Sequence, residues 1–494
     1  MRDLIVEPLW AAGDLGTAIP DTEHGVSVCL PTWADVVGYE EKEERVVAAM
    51  RCGYPRFFCH PKVRALFEEA ENRDGAGRRA VVLPSEGAAL RCREFVKARD
   101  GIKGDVAAYG DGDLWVYLVE EAGVEGALKY WQHSGEIVSS RLASAVLSGK
   151  EWYEGEEAKA ELRERLAGLS GQGGEDVFLY QNGMSGVYAV HRAVMAMRPG
   201  LKSVQLEFPY VDVLKVQEQF GAGAHFFELN DSGDLSELEG LLGREEVSAV
   251  YCEMAANPLL RSVDLEKVAG LLEGRGVPLI VDDTVGTVVN VDVYRWADVV
   301  TTSLTKCFSG VGDVMGGSVI LRESSVFRDE FASFLKAEAP EDLYGSDAAV
   351  LAVNSRDFVE RVEEKNRTGE AIYEYLSDHP QVERVWYPKG CATQGAYDAV
   401  RREGGGYSCL LSFVLKDAAT TTPGFYDALR ISKGPSLGTN YSLVCPYTLL
   451  AYYNELEWAE GCGVSRYLVR LSVGLEGVEE LRGRLEEALG GINN

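Results

Sequence analysis

Between residues 176 and 320, short apolar segments alternate with helical ones, and this alternation constrains the fold more than any other feature of the chain. The segments SVQLEF, VSAVYCE, VPLIVDD, ADVVTTS and GGSVIL are nearly all apolar, which is typical of strands buried on both faces of a sheet. Between the second and third, LEKVAGLLEGRG has the spacing of an amphipathic helix that ends at a glycine. The alternation predicts a parallel α/β sheet, in which ligands bind beyond the carboxyl ends of the strands.

The flanking segments divide the chain into three parts. Residues 1–60 are rich in Pro, Gly and aromatic residues and lack a long periodic segment, so we assign an extended arm with short helices to residues 1–75. Residues 76–345 are assigned to a large domain, which begins with the strand RAVVL and a helix capped by Ser85. The remainder, 346–494, has a long helical stretch, three more strand patterns and a closing helix, and we expect a smaller C-terminal α/β domain there.

The composition excludes several classes of function. Acidic residues number 78 against 49 basic ones, for a formal net charge of -29, and such a surface repels nucleic acids and anionic membranes. Ten cysteines occur without a CxxC pair, so neither a zinc site nor a redox dithiol is indicated, and no other metal site is expected. The chain shows neither a signal peptide at its N-terminus nor a membrane-spanning run. We therefore expect a soluble, cytoplasmic protein with reduced thiols.

Two of the buried strand patterns end in residues that carry chemistry. VPLIVDD ends in acids, and a carboxylate at a buried strand end is costly unless a cation pairs with it. The protonated ring nitrogen of a pyridine cofactor would be such a partner for Asp282. In ADVVTTSLTK, Lys306 follows a turn whose Ser303 and Thr305 carry hydroxyls suited to a phosphate. Taken singly, the lysine could be solvated and the acid a cap, but with the Gly-rich GVGDVMGG that follows they form a specific set.

In these motifs the chain resembles the Cys/Met-metabolism family of fold-type I PLP (pyridoxal 5'-phosphate) enzymes. The resemblance covers most of residues 50–490, and GYPRFF, WQHSG, FPYVDVLK and GPSLGTNYSLVCPYTLL are similar to the fungal cystathionine γ-synthase branch. It implies an aspartate-aminotransferase-like large domain with a mainly parallel sheet, a smaller C-terminal α/β domain and an extended N-terminal arm. It also implies a homo-oligomer, a dimer of dimers, in which the arm reaches the neighbouring subunit and active sites are shared.

The resemblance implies cofactor-binding roles for residues that match the family motifs. Lys306 matches the lysine that holds PLP as a Schiff base, and Asp282 matches the acid on the ring nitrogen. The amides of Gly183 and Met184 are expected to bind the phosphate at a helix N-terminus. The remaining cofactor contacts that it implies are Tyr54 and Arg56 on the phosphate of the neighbouring subunit, Tyr210 stacked on the ring, Asn257 and Thr284 near the ring, and Ser303 and Thr305.

The same resemblance implies the groups that act on the substrate. Arg470 matches the arginine that holds the substrate carboxylate, a role that suits a planar guanidinium. Ser442 and Asn257 are expected beside it, and Lys306 or Tyr210 is expected to remove the α-proton. Two departures leave specificity open: Gly310-Val311 replaces the usual Gly-His after the lysine motif, and residues 58–61 (FCHP) replace the usual Asn-Pro-Thr.

The activity implied is γ-substitution on an O-acyl-L-homoserine through a vinylglycine-type intermediate, with a sulfur or carbon nucleophile. A γ- or β-lyase that eliminates across a C–S bond is the alternative within the same class. A non-catalytic scaffold of the same fold is a remote alternative, because Lys306, Asp282 and Arg470 are all present. A nucleotide-binding oxidoreductase would need a GxGxxG turn between a strand and a helix, and GVGDVMGG does not have that placement.

Overall fold

The computed structural model describes residues 2–110, 113–150, 153–341 and 343–491. The N-terminal arm is mostly irregular and folds back on its own chain, where the amide of Val26 donates to the Gly312 carbonyl and that of Leu30 to the Lys433 carbonyl, both at 2.9 Å. Its elements are the antiparallel pair β1 (Ala18–Ile19) and β2 (Ser27–Val28) and the helices α1 (Trp33–Glu40) and α2 (Glu44–Ala49).

Residues 61–147, the N-terminal unit, build a small layered structure of their own. A three-stranded antiparallel sheet in the order β3-β5-β4 packs against helices, and Val63, Leu66, Val82 and Val116 lie in its buried core. The elements are α3 (Pro61–Asp74), β3 (Arg79–Leu83), α4 (Glu86–Asp100), β4 (Asp105–Tyr109), β5 (Leu114–Val119), α5 (Val124–Ser134) and α6 (Ser140–Leu147).

The next segment forms a seven-stranded sheet in the order β6-β12-β11-β10-β9-β7-β8. All neighbours are parallel except β12, which runs antiparallel to β6 and β11. The elements are α7 (Glu156–Ser170), β6 (Val177–Tyr180), α8 (Gly183–Met197), β7 (Ser203–Leu206), α9 (Val211–Gln219), β8 (Ala224–Phe227), α10 (Ser236–Leu242), β9 (Val250–Glu253), α11 (Leu265–Leu272), β10 (Leu279–Asp282), α12 (Thr287–Asn290), β11 (Val299–Thr302), β12 (Gly317–Leu321) and α13 (Arg328–Glu338).

The C-terminal part forms a five-stranded sheet in the order β13-β14-β17-β16-β15, antiparallel except for the β15-β16 pair. Its elements are α14 (Gly345–Asn354), α15 (Phe358–Asp378), β13 (Val382–Trp386), α16 (Gln394–Val400), β14 (Leu410–Leu415), α17 (Ala418–Ala428), β15 (Ser432–Lys433), β16 (Leu443–Pro446), α18 (Tyr447–Tyr452), α19 (Leu456–Gly461), β17 (Val469–Ser472) and α20 (Val478–Gly490). Short 3-10 turns lie at Ala12–Asp14, Glu121–Gly123, Gly174–Asp176, Asn230–Ser232, Val293–Arg295 and Tyr453–Glu455.

These elements confirm the predicted fold class, an α/β chain with a large, mostly parallel sheet and a smaller C-terminal sheet. The predicted strand segments between residues 203 and 321 are all strands, and most of their residues are buried, as expected for strands covered on both faces. The predicted arm boundary at residues 75 and 76 lies between α3 and β3, which pack against each other in one core. Within the described residues, no helix combines the length and apolar character needed to cross a bilayer.

Candidate active site

A deep cavity lies at the carboxyl ends of the large-sheet strands, between that sheet, the C-terminal sheet and the arm. Its empty volume, including the mouth, is about 1210 Å³. Asp282 ends β10, Glu253 ends β9, Lys306 follows β11 and Gly183 begins the helix after β6, so the strand order itself gathers these groups. The predicted residues that line the cavity are Tyr54, Arg56, Gly183, Met184, Tyr210, Asn257, Asp282, Thr284, Ser303, Thr305, Lys306 and Arg470.

Lys306 lines the cavity and is buried. Its Nζ donates to the hydroxyls of Tyr54 and Ser436, each at 2.9 Å, and lies 4.5 Å from the centre of the Tyr54 ring. Burial lowers the pKa of Lys306 below its ordinary value, an effect that Tyr54 partly offsets. A lowered pKa makes the neutral, nucleophilic amine more accessible, as a lysine that attacks a carbonyl requires.

Asp282 is a half-buried carboxyl at the end of β10, and its hydrogen-bond partners are neutral. Its Oδ1 accepts from the Thr284 amide at 2.9 Å and its Oδ2 from the Thr301 hydroxyl at 3.2 Å. Burial raises the pKa of Asp282, and nowhere in the described ranges does a cationic side chain pair with it. A cation that enters the cavity would therefore find a carboxylate prepared for it.

The opposite side of the cavity contains the start of α8. The Asn182 side chain caps this helix by accepting from the Ser185 amide at 3.1 Å, which leaves the amides of Gly183 and Met184 without an acceptor in their own helix. Gly183 is needed there, because a Cβ atom at this position would lie 2.9 Å from the Cβ of Ser303. Free amides, the helix dipole and the nearby Ser303 suit a phosphate.

The two hydroxyl residues of the lysine loop are used differently. The Ser303 amide donates to the Thr284 hydroxyl at 2.8 Å, and its side chain faces the cavity. The Thr305 hydroxyl bonds the backbone of Gly316 instead, donating to the carbonyl at 3.3 Å and accepting from the amide at 3.1 Å. Thr305 therefore fixes the loop that carries Lys306 more directly than it offers a contact to a ligand.

Tyr54 and Arg56 complete this cavity from the same chain. Arg56 donates to the Asp212 carboxylate and the Tyr210 hydroxyl, and to the Gln132 carbonyl at 2.9 Å. Because the arm folds back on its own chain, Tyr54 contacts the Lys306 amine of that chain, whereas the resemblance implies a reach to the neighbouring subunit. Burial raises the pKa of Tyr54, but Lys306 and Arg56 outweigh it and lower the value to about 8.

Tyr210 lies in the cavity as predicted, but its surroundings favour one of its two possible proton roles. Its hydroxyl accepts from Arg56, and its amide donates to Glu253 at 2.5 Å. Burial raises the pKa of Tyr210 well above its ordinary value in spite of Arg56 beside it. A phenol with a raised pKa stays protonated, so Tyr210 is better suited to contact a ring or donate a proton than to act as the base.

Arg470 lies across the cavity on β17, and its hydrogen-bond partners among the described residues are neutral. It donates to the Asn257 side-chain oxygen at 3.1 Å and to the Ser436 carbonyl at 2.8 Å, and its guanidinium lies 4.6 Å from the centre of the Tyr447 ring. The Asn257 amide group in turn donates to the Tyr447 hydroxyl at 3.3 Å. No carboxylate of the described chain pairs with Arg470, so its charge is available to a ligand.

Ser442, predicted beside the substrate, is not part of the cavity lining. Its hydroxyl donates to Glu476 at 2.8 Å and accepts from the Gly474 amide at 2.9 Å. The serine that contacts Lys306 is Ser436, six residues earlier in the same loop. The chain turns at Gly438, where φ is +76°, and this turn directs the two serines to different surroundings.

The prediction also missed Glu253 and Tyr447. Glu253 ends a buried strand just as Asp282 does, and its carboxylate accepts hydrogen bonds from the backbone amides of Tyr210 and Asn257. Burial, with Asp282 acting in the same direction, raises the pKa of Glu253 to about 8. The signal that selected Asp282, an acid at the end of an apolar run, could have selected Glu253. No pattern in the sequence distinguishes Tyr447 from the other tyrosines of its segment.

The residues present fit pyridoxal phosphate. The unpaired Asp282 carboxyl suits the ring nitrogen, and the start of α8 with Ser303 and Arg56 suits the phosphate. The buried amine of Lys306 suits the aldehyde. These groups lie around one cavity whose other walls are mostly apolar, which is the environment that such a cofactor needs.

Comparison with known proteins agrees with the geometry. Residues 155–490 match the family model described as Cys/Met metabolism PLP-dependent enzyme, and residues 62–139 match the one described as fungal trans-sulfuration enzyme, N-terminal domain. Two similar relatives are a cystathionine gamma-synthase of Neurospora crassa, 34% identical over 95% of this chain and 96% of the relative, and a cystathionine gamma-synthase-like enzyme of Amanita muscaria, 32% identical over 95% of each.

Among solved structures, the chain is similar in fold to a cystathionine gamma synthase from Xanthomonas oryzae in complex with cystathionine. The TM-score is 0.60 at 24% identity, and the alignment covers 70% of this chain and 89% of the other.

Proposed function

The chain belongs to the Cys/Met-metabolism family of PLP-dependent enzymes, and from this premise we propose that it catalyses γ-substitution on an O-acyl-L-homoserine. Its cofactor is pyridoxal 5'-phosphate and its substrate is an amino acid. One observation supports an amino-acid substrate most directly: Ser436 accepts from Lys306 through its hydroxyl and from Arg470 through its carbonyl. An α-amino acid carries its amine and its carboxylate on the same carbon, so its site needs a lysine and an arginine that both face one cavity, as Lys306 and Arg470 do. The similarity to cystathionine gamma-synthases supports γ-substitution as the reaction.

Bound pyridoxal phosphate would supply an electron sink that acidifies the hydrogens at Cα and Cβ of the amino acid. Arg470 would hold the α-carboxylate by two parallel hydrogen bonds. Asp282 would keep the ring nitrogen protonated, and Arg56 with the amides of Gly183 and Met184 would hold the phosphate.

Lys306 would move the protons at Cα and Cβ, because its burial favours the neutral amine. Loss of the Cβ proton allows the acyl group to leave from Cγ, and the nucleophile, a thiol or a carbon acid, then adds there. Tyr54, with a pKa of about 8 and its hydroxyl 2.9 Å from Nζ, is the group best placed to exchange a proton with Lys306. The apolar side chains around the cavity, such as Met315 and Leu450, would limit access of water.

The assembly, location and domain limits are further parts of the proposal. We propose a homo-oligomer built as a dimer of dimers, supported by family membership and tested by sedimentation of the PLP-loaded protein. A cytoplasmic location is supported by the ten cysteines, all of which are unpaired. We keep residues 346–494 as the C-terminal domain and assign 61–147 to the N-terminal unit, which limited proteolysis would test.

Product analysis by mass spectrometry tests the function. The PLP-loaded protein is given O-acetyl- or O-succinylhomoserine with and without cysteine, and the Lys306→Ala variant serves as control. Cystathionine formed only with cysteine supports the proposal and identifies the nucleophile as a thiol. Consumption of the ester with release of 2-oxobutyrate alone supports elimination in place of substitution. An ester that is not consumed by the PLP-loaded protein contradicts the proposal.

A further inference from the structure

We propose that residues 132–135, the turn at the carboxyl end of α5, position both halves of the phosphate site, so that each active site is complete within one chain. This 132–135 turn belongs to the N-terminal unit, which carries none of the residues assigned to cofactor or substrate. The proposal rests on the cofactor named above and not on the identity of the substrate. In this proposal the N-terminal unit positions Arg56 and the start of α8, a role that a second copy of the chain would otherwise have.

The phosphate site has two parts, Arg56 and the start of α8, and the 132–135 turn contacts both. The first part is Arg56. The Gln132 carbonyl accepts from Arg56 at 2.9 Å. The His133 ring donates through Nδ1 to Asp212 at 2.8 Å, and Asp212 is the carboxylate that pairs with Arg56. Asp212 is fully buried and His133 nearly so. The orientation of Arg56 is therefore fixed from two directions by the same turn.

The second part is the start of α8. The Asn182 side-chain amide donates to the Gly135 carbonyl at 2.6 Å, while its oxygen caps the helix at Ser185. This hydrogen bond fixes which end of the Asn182 amide faces α8, and so keeps the amides of Gly183 and Met184 open. Gly135 has φ of +70°, and a Cβ atom there would lie 2.5 Å from the Asn182 oxygen and 2.6 Å from the Ser185 amide. The contact between the two segments is therefore close and requires glycine.

A third contact joins the same segment to the middle of α8. Glu136, directly after the turn, pairs with Arg192 of α8 at 3.4 Å and also with Arg91 of α4. The Ser134 hydroxyl donates to the Tyr130 carbonyl at 2.7 Å and accepts the Glu136 amide at 3.2 Å, which fixes the turn itself. The segment from 130 to 136 thus connects the N-terminal unit to α8 along much of its length.

The plan of the N-terminal unit explains how it can replace a second copy. The succession α3, β3, α4 has the same order of elements as α7, β6, α8. In each, one residue separates the strand from the capping residue, Ser85 or Asn182, whose side chain accepts from the amide three residues later. Tyr54 and Arg56 precede the first of these units, not the second. Only α8 is suited to phosphate, because α4 begins with Glu86, whose carboxylate repels an anion.

Two glycine variants test the contact with α8. Gly135→Ala places a methyl group against Asn182, whereas Gly171→Ala adds one at a similar φ of +73° with no atom within 4 Å. The backbone strain is matched, and only the first variant disturbs the start of α8. We expect the dissociation constant for PLP, measured by absorbance titration of the stripped protein, to rise at least about tenfold for Gly135→Ala and less than about twofold for Gly171→Ala. Equal PLP affinity in the two variants would overturn the proposal.

His133 is a positioning residue on this view, and its replacement should be rescued by a side chain that donates in the same place. We expect His133→Ala to raise the PLP dissociation constant by about tenfold and His133→Asn to recover most of that loss. At saturating PLP, kcat of His133→Ala should be close to that of the wild type, which a general loss of folded protein would not allow. PLP affinity unchanged in His133→Ala contradicts the role.

Mixed assemblies test whether one chain is sufficient. Arg56→Ala and Lys306→Ala chains with different tags are co-expressed, species that contain both are isolated, and PLP is titrated. If each site is complete in one chain, the Arg56→Ala chain keeps its weak PLP binding in the mixed species; a full monomer that binds PLP tightly supports the same conclusion. Recovery of wild-type affinity at half of the sites would overturn the proposal. PLP binding is measured without homoserine esters, so failure of the proposed substrate leaves this test intact.

Discussion

Two buried arginines on opposite sides of the cavity have different surroundings. Arg56 and Arg470 are each 5% exposed, yet Arg56 pairs with Asp212. Arg470 contacts an amide oxygen, a carbonyl and a tyrosine ring, and it pairs with no carboxylate of the described residues. Arg56 shares its charge with a carboxylate of the protein as well as facing the cavity, whereas the charge of Arg470 is left entirely for a ligand. Burial alone therefore does not identify a substrate-binding arginine, whereas the charge of its partners does.

The largest expected effect follows from breaking the Arg56 pair. Arg56→Ala leaves Asp212 buried without its cation, and the free energy of unfolding of the PLP-free protein should fall by about 3–5 kcal/mol. Urea denaturation measures it. The double variant Arg56→Ala/Asp212→Asn removes both charges and should recover most of the loss. If the free energy of unfolding of Arg56→Ala fell by less than about 1 kcal/mol, leaving Asp212 without Arg56 would not be as costly as expected.

Arg470→Ala should lower activity strongly and change stability little. We expect kcat/KM for the amino acid to fall about 100- to 1000-fold, because a charge-assisted carboxylate contact is lost. The free energy of unfolding should change by less than about 1 kcal/mol, since no buried carboxylate is left unpaired. Arg466→Ala, at a half-exposed position paired with Glu460, is the matched control and should leave kcat/KM unchanged. If Arg470→Ala lowered the free energy of unfolding by several kcal/mol and left kcat/KM nearly unchanged, Arg470 would be a structural arginine and not a substrate-binding one.

Asp212→Asn should leave Arg56, like Arg470, without a carboxylate partner. The substitution keeps an oxygen that can accept from His133 but removes the charge that neutralises Arg56. We expect the free energy of unfolding to fall by about 1–3 kcal/mol, and inorganic phosphate to restore more stability to this variant than to the wild type. Thermal melts with and without phosphate measure both effects. Equal stabilisation by phosphate would show that Arg56 gains no free charge.

The smallest expected effect concerns Tyr54, which lies between Arg56 and Lys306. PLP attaches to the neutral Lys306 amine, whose fraction rises with pH, and Tyr54 raises the pKa of Lys306. Tyr54→Phe should therefore move the pH profile of PLP attachment to lower pH. Tyr447→Phe, on the Arg470 side, should leave the profile in place. Stopped-flow absorbance gives both profiles, and a shift to higher pH in Tyr54→Phe would contradict the assignment.

Local patterns were sufficient to predict much of the site. Asp282 and Lys306 were found because each follows an apolar run whose strand leaves the sheet at the same edge. The arm and the serine loop could not be derived in this way. Whether Tyr54 contacts its own chain depends on how the arm folds back over the C-terminal sheet, and the choice between Ser436 and Ser442 depends on a backbone turn at Gly438. Neither is encoded in a short periodic pattern.

The site is assembled from distant parts of the chain, and this has a consequence for biosynthesis. Tyr54 and Lys306 are separated by 252 residues, and Asn257 and Arg470 by 213. During translation Tyr54 is made long before the amine that it will contact, and the large sheet is complete before Arg470 exists. Cofactor capture is therefore a late event, open only to chains whose arm and C-terminal sheet have already docked. In the cell, a chain that carries the cofactor is therefore one whose arm and C-terminal sheet have already docked.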